Sequence, residues 1–300
     1  MLRKKASFVT FLCLLTFLYC GPIFAATADA AATQPKGAVL LVAFGTSIEK
    51  ARVSYANAEQ KVRAAFPGKD LRWAWTAHSL LKNGPDSAPM LSPQEALARL
   101  ATEGVKDVAV LSLHIIPGAE YNALAQTARA FEGLPKGLER VHLAPPLLHD
   151  TDSLSEVAGL LLKSAPKQRK ADEALVFVGH GTHHAGGVYY PALQYYLSRL
   201  DARALVGTVE GAPDKEALLA DLQDLGVKKV WLMPLMTVAG DHALNDLFGD
   251  EPDSWKNSLA AKGFTVEAVP LGLGEYPMII DRWVQGLQKT IQENAEAVIM

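Results

Sequence analysis

Ala174-Leu175-Val176-Phe177-Val178-Gly179-His180-Gly181-Thr182-His183-His184 is the stretch that decides how this chain folds. An unbroken apolar run ends on two glycines with a histidine held between them. A run without polar alternation describes a strand buried on both faces, as in a parallel sheet covered by helices. The Gly-His-Gly that closes it puts an imidazole at the carboxyl edge of that sheet. Open α/β proteins keep their chemistry at that edge. The sequence must therefore be searched for the partners of His180.

Working outward, residues 38–44 form a second buried run, closed by Gly45-Thr46-Ser47. Helical periodicity follows over 49–66 and stops at Pro67-Gly68. Further strands are predicted over 71–76, 108–113 and 141–144, and a helix over 152–164. Ser92-Pro93-Gln94-Glu95 opens another helix, with a Ser N-cap, Pro at the first helical position and Glu at the third. After Ala165-Pro166-Lys167-Gln168-Arg169-Lys170, which reads as a linker, the plan recurs. Its strands are predicted over 174–178, 205–209, 230–235 and 265–269, with helices over 189–200, 214–224, 241–247 and 276–293. Alternation at this spacing predicts an α/β protein built of two similar parallel-sheet domains, 37–165 and 166–300.

The second half repeats the first in letters as well as in pattern. Gly104-Val105-Lys106-Asp107-Val108 matches Gly226-Val227-Lys228-Lys229-Val230. The same offset lays Leu113 on Leu235, Gly118 on Gly240 and Glu120 on His242. Phe44-Gly45-Thr46 falls on His180-Gly181-Thr182, and Thr76-Ala77-His78 on Thr208-Val209-Glu210. Three strand ends of the second half thus carry His180, Glu210 and His242, where the first half carries Phe44, His78 and Glu120. Neutral imidazole and carboxylate are ligands for borderline divalent metals, and three of them leave coordination positions open.

The remaining histidines are weaker candidates. His183 and His184 are expected to line a cleft or cap the next helix, and His114 to be a core or cleft residue. His78 and Glu120 are candidates for a second, weaker polar or metal site, while His142 and His149 read as structural. The chain lacks a full phosphate-loop motif, so ATP use is not supported. Trp255, Trp283, Tyr189-Tyr190 and Tyr195-Tyr196 read as helix packing.

Residues 1–28 read as a cleavable signal peptide. Met1-Leu2-Arg3-Lys4-Lys5 is a basic start, residues 6–19 are apolar, and Ala26-Thr27-Ala28 is a small-x-small cleavage site. Residues 29–36 then form a flexible leader. The expectation is a periplasmic protein with no stable membrane anchor after cleavage. Cys13 and Cys20 both lie in the signal, so the mature chain has no disulfide, thiolate ligand or cysteine nucleophile. It keeps 26 basic against 32 acidic residues, a net −6 without a long basic run, which argues against nucleic acid as a partner.

From Gly37 to the C-terminal helix the chain resembles the class II chelatases of tetrapyrrole biosynthesis, specifically anaerobic sirohydrochlorin cobaltochelatases of the CbiK type. The resemblance is carried by Leu41-Val42-Ala43-Phe44-Gly45-Thr46-Ser47, Ser112-Leu113-His114-Ile115-Ile116 and Val178-Gly179-His180-Gly181. It continues in Val209-Glu210, Leu232-Met233-Pro234-Leu235-Met236 and Val238-Ala239-Gly240-Asp241-His242-Ala243. Asp253-Ser254-Trp255-Lys256 and Gly272-Leu273-Gly274-Glu275 complete it. It implies two α/β halves with a tetrapyrrole cleft between them, and metal-binding and catalytic roles for His180, Glu210 and His242. One departure is Pro117-Gly118-Ala119-Glu120-Tyr121, where the family has Asn-Gly-Asp-Glu-Tyr. A second is the signal peptide, since cobalamin synthesis is cytoplasmic.

The resemblance implies insertion of Co2+, with Fe2+ as the other candidate, into sirohydrochlorin without ATP. His180 is expected as the main proton acceptor and a metal ligand, His242 as the second ligand, and Glu210 as the group that completes the site. Metal must load on deprotonated imidazole, so activity should fall below about pH 6.5, where an ordinary histidine titrates. Arg52 and Lys82 are candidates for holding the substrate's carboxylates, and a homo-oligomer is expected. The alternative is an exported metal- or haem-binding protein on the same fold, with His78 or His114 as candidate haem ligands.

Overall fold

The apolar runs that end on glycine become the central strands of two separate sheets. The computed structural model describes residues 37–77, 79, 81 and 90–297. His78, Lys82 and the proposed signal and leader lie outside the described residues. In the first sheet β1 (Gly37–Ala43), β2 (Asp70–Trp75), β3 (Asp107–Ser112) and β4 (Arg140–Leu143) run parallel in the order β2-β1-β3-β4. The helices of this half are α1 (Val53–Ala65), α2 (Pro93–Thr102), α3 (Ala119–Phe131) and α4 (Thr151–Lys163).

The second sheet holds β5 (Ala174–Gly181), β6 (Ala204–Glu210), β7 (Lys229–Pro234) and β8 (Thr265–Ala268), parallel and ordered β6-β5-β7-β8. Its helices are α5 (Tyr189–Leu200), α6 (Lys215–Asp224), α7 (Trp255–Ala261) and α8 (Pro277–Ala297). The strand order is the same in both halves, as the repeat requires, and the correspondence reaches individual hydrogen bonds. Leu113 N donates to Val42 O (2.9 Å) as Leu235 N does to Val178 O (2.7 Å). The Thr46 hydroxyl accepts from Ile48 N as that of Thr182 accepts from His184 N, each at 3.1 Å.

Alternate residues of each central strand feed different cores, which is why the runs are continuously apolar. Val39, Leu41 and Ala43 of β1 share one core with Leu175 and Phe177 of β5, filled in by α1, α4, α5 and α8. Ala38, Leu40 and Val42 face a second core with α2 and α3, and Ala174, Val176 and Val178 a third with α6 and α7. The last helix, α8, returns to the first half. Lys61 of α1 pairs with Asp281 at 2.7 Å, and the Asn294 amide stands 3.0 Å from His142 Nδ1.

The predicted Ser92 capping box is formed, with Glu95 closing it. Strand β5 extends to Gly181, so His180 lies inside its end rather than beyond it. Two helices, α3 and α7, were not anticipated. The first opens on Gly118 without a side-chain cap, and the second is only seven residues long. The stretch predicted as a helix over 241–247 is helical, with α winding at Asp241 and His242 that passes into a π turn, Ala243–Leu247. Among the described residues no helix is long and apolar enough to cross a membrane.

Candidate functional site

The carboxyl ends of β1, β3, β5, β6 and β7 open into one cavity of about 590 Å³. Phe44, His114 and Glu120 line it from the first half, and His180, Glu210 and His242 from the second. Local packing explains why His180 can stand there. Gly179 has the Tyr190 ring against its Cα, where a Cβ would clash. Gly181 has φ +82°, pairs in register with Glu210, and donates its N–H to the Tyr190 hydroxyl at 3.3 Å. The two glycines are thus steric requirements of a tight strand end.

The rings of His180 and His242 meet edge to face, with centroids 4.5 Å apart and planes at 89°. His180 Nδ1 lies 3.2 Å from the Gly181 carbonyl, and His242 Nδ1 lies 3.0 Å from an Asp246 carboxylate oxygen. Neither acceptor can donate, so in the neutral ring each Nδ1 carries the proton and each Nε2 has the lone pair. Two nitrogen donors are thereby prepared for a cation. Glu210 is exposed on the same cavity. Among the described residues no three His, Cys, Asp or Glu side chains converge closely enough to hold a metal ion. The preformed element is the imidazole pair, and Glu210 joins it only by reorienting.

His114 faces the cavity from the first half. Its Nδ1 is 2.9 Å from the Ser112 hydroxyl and its Nε2 is 3.4 Å from that of Thr76. A haem iron bound here would have to displace one of these contacts. Burial lowers its pKa to about 4, so it is neutral in the folded protein at pH 7. The unfolded chain binds this proton near pH 6.5, so stability should fall as pH drops from there towards 4, by up to about 3 kcal/mol. Urea midpoints measured across that range should converge for wild type and His114→Gln at the acidic end. Parallel curves would refute the assignment.

His183 is exposed and is not among the residues that line the cavity, whereas His184, His142 and His149 are structural. His184 Nδ1 accepts from Gly186 N at 2.9 Å, capping the turn Ala185–Val188, and its Nε2 lies 3.2 Å from the Asn122 amide across the halves. His142 is buried between Asp107 and Asn294, and His149 Nδ1 donates to Pro146 O. Trp255 and Trp283 are buried in helix packing. Among the described residues no lysine or arginine lines the cavity. Arg52 stands on the turn before α1, and its charge acts on Tyr55, which does line it. Sequence reasoning missed Asp246, although its i+4 spacing from His242 was a readable signal.

The model of the family described as cobalt chelatase (CbiK) matches residues 37–292. The chain belongs to that family. It is 37% identical over 257 residues to the sirohydrochlorin cobaltochelatase CbiKC of Nitratidesulfovibrio vulgaris, covering 85% of this chain and 91% of the relative. It is 35% identical over 264 residues to the sirohydrochlorin cobaltochelatase of Salmonella typhimurium, covering 87% and 98%. Among solved structures, SirB from Bacillus subtilis with Fe3+ superposes with a TM-score of 0.56 over 85% of this chain and 95% of its own, at 12% identity. CbiX of denitrifying bacteria gives 0.52 over 84% and 98%, at 18% identity. These two show the chelatase fold. Ala119 lines the cavity beside Glu120.

Proposed function

We propose that this protein inserts Co2+ into sirohydrochlorin, without ATP, through the second-half wall of the cavity. The observation that carries the reading is the His180–His242 pair, with both Nε2 lone pairs available beside a cavity open to a flat ligand. The relatives named for this activity support the substrate. Metallation replaces two pyrrole N–H protons with one divalent cation, so the site must take protons and give up metal at one place. The metal loads on the Nε2 atoms of His180 and His242. As the ion passes to the ring, the freed Nε2 of His180, the principal acceptor, takes one pyrrole proton and that of His242 takes the other. Glu210 completes the set and balances charge. An incomplete, partly flexible set suits an ion that must leave.

The lining supports this division. Glu120, Glu210 and Asp241 bring negative charge to the cavity, which favours an arriving divalent cation. The carboxylates of sirohydrochlorin are then directed outward, away from this acidic interior, while the ring rests on apolar groups such as Phe44, half of whose surface is exposed. Imidazole and carboxylate accept both Co2+ and Fe2+, so the donor set does not choose between them. The test is absorbance of sirohydrochlorin mixed with the purified protein and either metal. Metallation accelerated without ATP is expected, and no acceleration with either ion would overturn the proposal. Export belongs to the same proposal: the mature chain should begin at Asp29 in a periplasmic fraction, and a chain retaining residues 1–28 would refute cleavage.

A further inference from the structure

We infer that Asp246 is a positioning residue for metal loading, acting through His242; the inference deepens the proposed function and rests on it. The π turn Ala243–Leu247 is anchored from beneath by Ala243 and Leu247, both fully buried, with Leu247 in the core that α6 and α7 share with the second sheet. Anchoring that face leaves His242 and Asp246 on the other, one turn apart, with the carboxylate 3.0 Å from Nδ1. A second pair holds the same turn, the Asn245 amide donating to Asp241 at 3.1 Å. Single π turns concentrate at functional sites, where the extra residue re-aims side chains.

The two imidazoles are held differently. His180 is oriented by a neutral backbone carbonyl that its own strand fixes, and no substitution of a side chain can remove it. His242 stands eight positions beyond the end of β7, is half-exposed, and relies on Asp246 for its ring orientation. The carboxylate fixes the tautomer that leaves Nε2 bare, and its negative charge supports the positive charge a metal brings to the ring. Partners of this kind typically contribute about 10- to 100-fold in metal affinity or activity. Asp246 would thus set how tightly the ion is held before transfer, without touching ion or macrocycle.

The experiment compares wild type, Asp246→Asn and Asp246→Ala. Each is titrated with Co2+ alone by calorimetry, then assayed for metallation with Co2+ and sirohydrochlorin varied separately. In Asp246→Ala, Co2+ affinity should weaken about 10- to 100-fold and the KM for Co2+ rise in step, while the KM for sirohydrochlorin stays unchanged. Asp246→Asn keeps an acceptor for Nδ1 without the charge and should recover part of the loss. Wild-type Co2+ dependence in Asp246→Ala would overturn the inference. So would an equal rise in both KM values, which would mark a structural defect. If wild type binds Co2+ but never metallates the ring, the proposed function fails instead, and the Co2+ titrations still decide the role of Asp246.

Discussion

His180→Ala is expected to lower kcat for cobalt insertion by at least about 100-fold, because positioned proton acceptors contribute roughly 10²- to 10⁴-fold. The variant loses one of the two prepared Nε2 donors and the proposed principal acceptor of the pyrrole protons together. Among the described residues the only side-chain hydrogen bond removed is the one to the Gly181 carbonyl, so the fold should survive. Circular dichroism and the urea midpoint should therefore match wild type while metallation collapses. His180→Ala/His242→Ala should be little worse than His180→Ala alone, since groups acting as one unit lose their effect together. Undiminished metallation by His180→Ala, with Co2+ affinity intact, would sink the assignment. Additive losses in the double variant would show two independent roles in place of a pair.

The fold was readable because its strongest signals are local. The runs at 38–44 and 174–178 are apolar on both faces, and each proved to feed two cores. Ser92 and Glu95 announced their helix through capping chemistry that needs no tertiary context. Helix α3 gave no such signal, because Gly118 caps it without a side chain and Pro117 precedes it. The π turn was beyond reach for another reason. Periodicity over 241–247 indicates a helix without distinguishing α from π winding.

The site was legible to the extent that the repeat could place it. Aligning strand ends found His180, Glu210 and His242 on one cavity, yet alignment says nothing about which side chains touch. The structure joins the two histidines, and among the described residues Glu210 does not complete a three-residue metal cluster with them. Duplication also explains why the two walls differ. The same Gly-Thr turn follows a large apolar ring in the first half and an imidazole in the second, so one framework sets both kinds of side chain on the cavity. Such asymmetry costs no stability at strand ends that face a cavity, because neither side chain is needed to fill a core.

Gly181→Ala should be the most damaging single methyl in this site. At φ +82° any L side chain is strained, by roughly 1–2 kcal/mol. A Cβ there would also overlap the Glu210 carbonyl and press on the Thr208 side chain, adding the roughly 1–3 kcal/mol of an overpacked interior. Gly226→Ala separates the two costs. That glycine has φ +63° and nothing within 4 Å of its added Cβ, so it carries strain alone. In urea unfolding, Gly226→Ala should lose about 1–2 kcal/mol and Gly181→Ala about 1–3 kcal/mol more, a large share of the 5–15 kcal/mol typical of a domain. Because the overlap falls on Glu210, the folded fraction of Gly181→Ala should also show a raised KM for Co2+, which Gly226→Ala should not. Equal destabilisation of the two variants, with unchanged metal dependence, would mean that β6 yields freely. The end of the Gly-His-Gly strand would then not be what fixes the Glu210 backbone at the cavity.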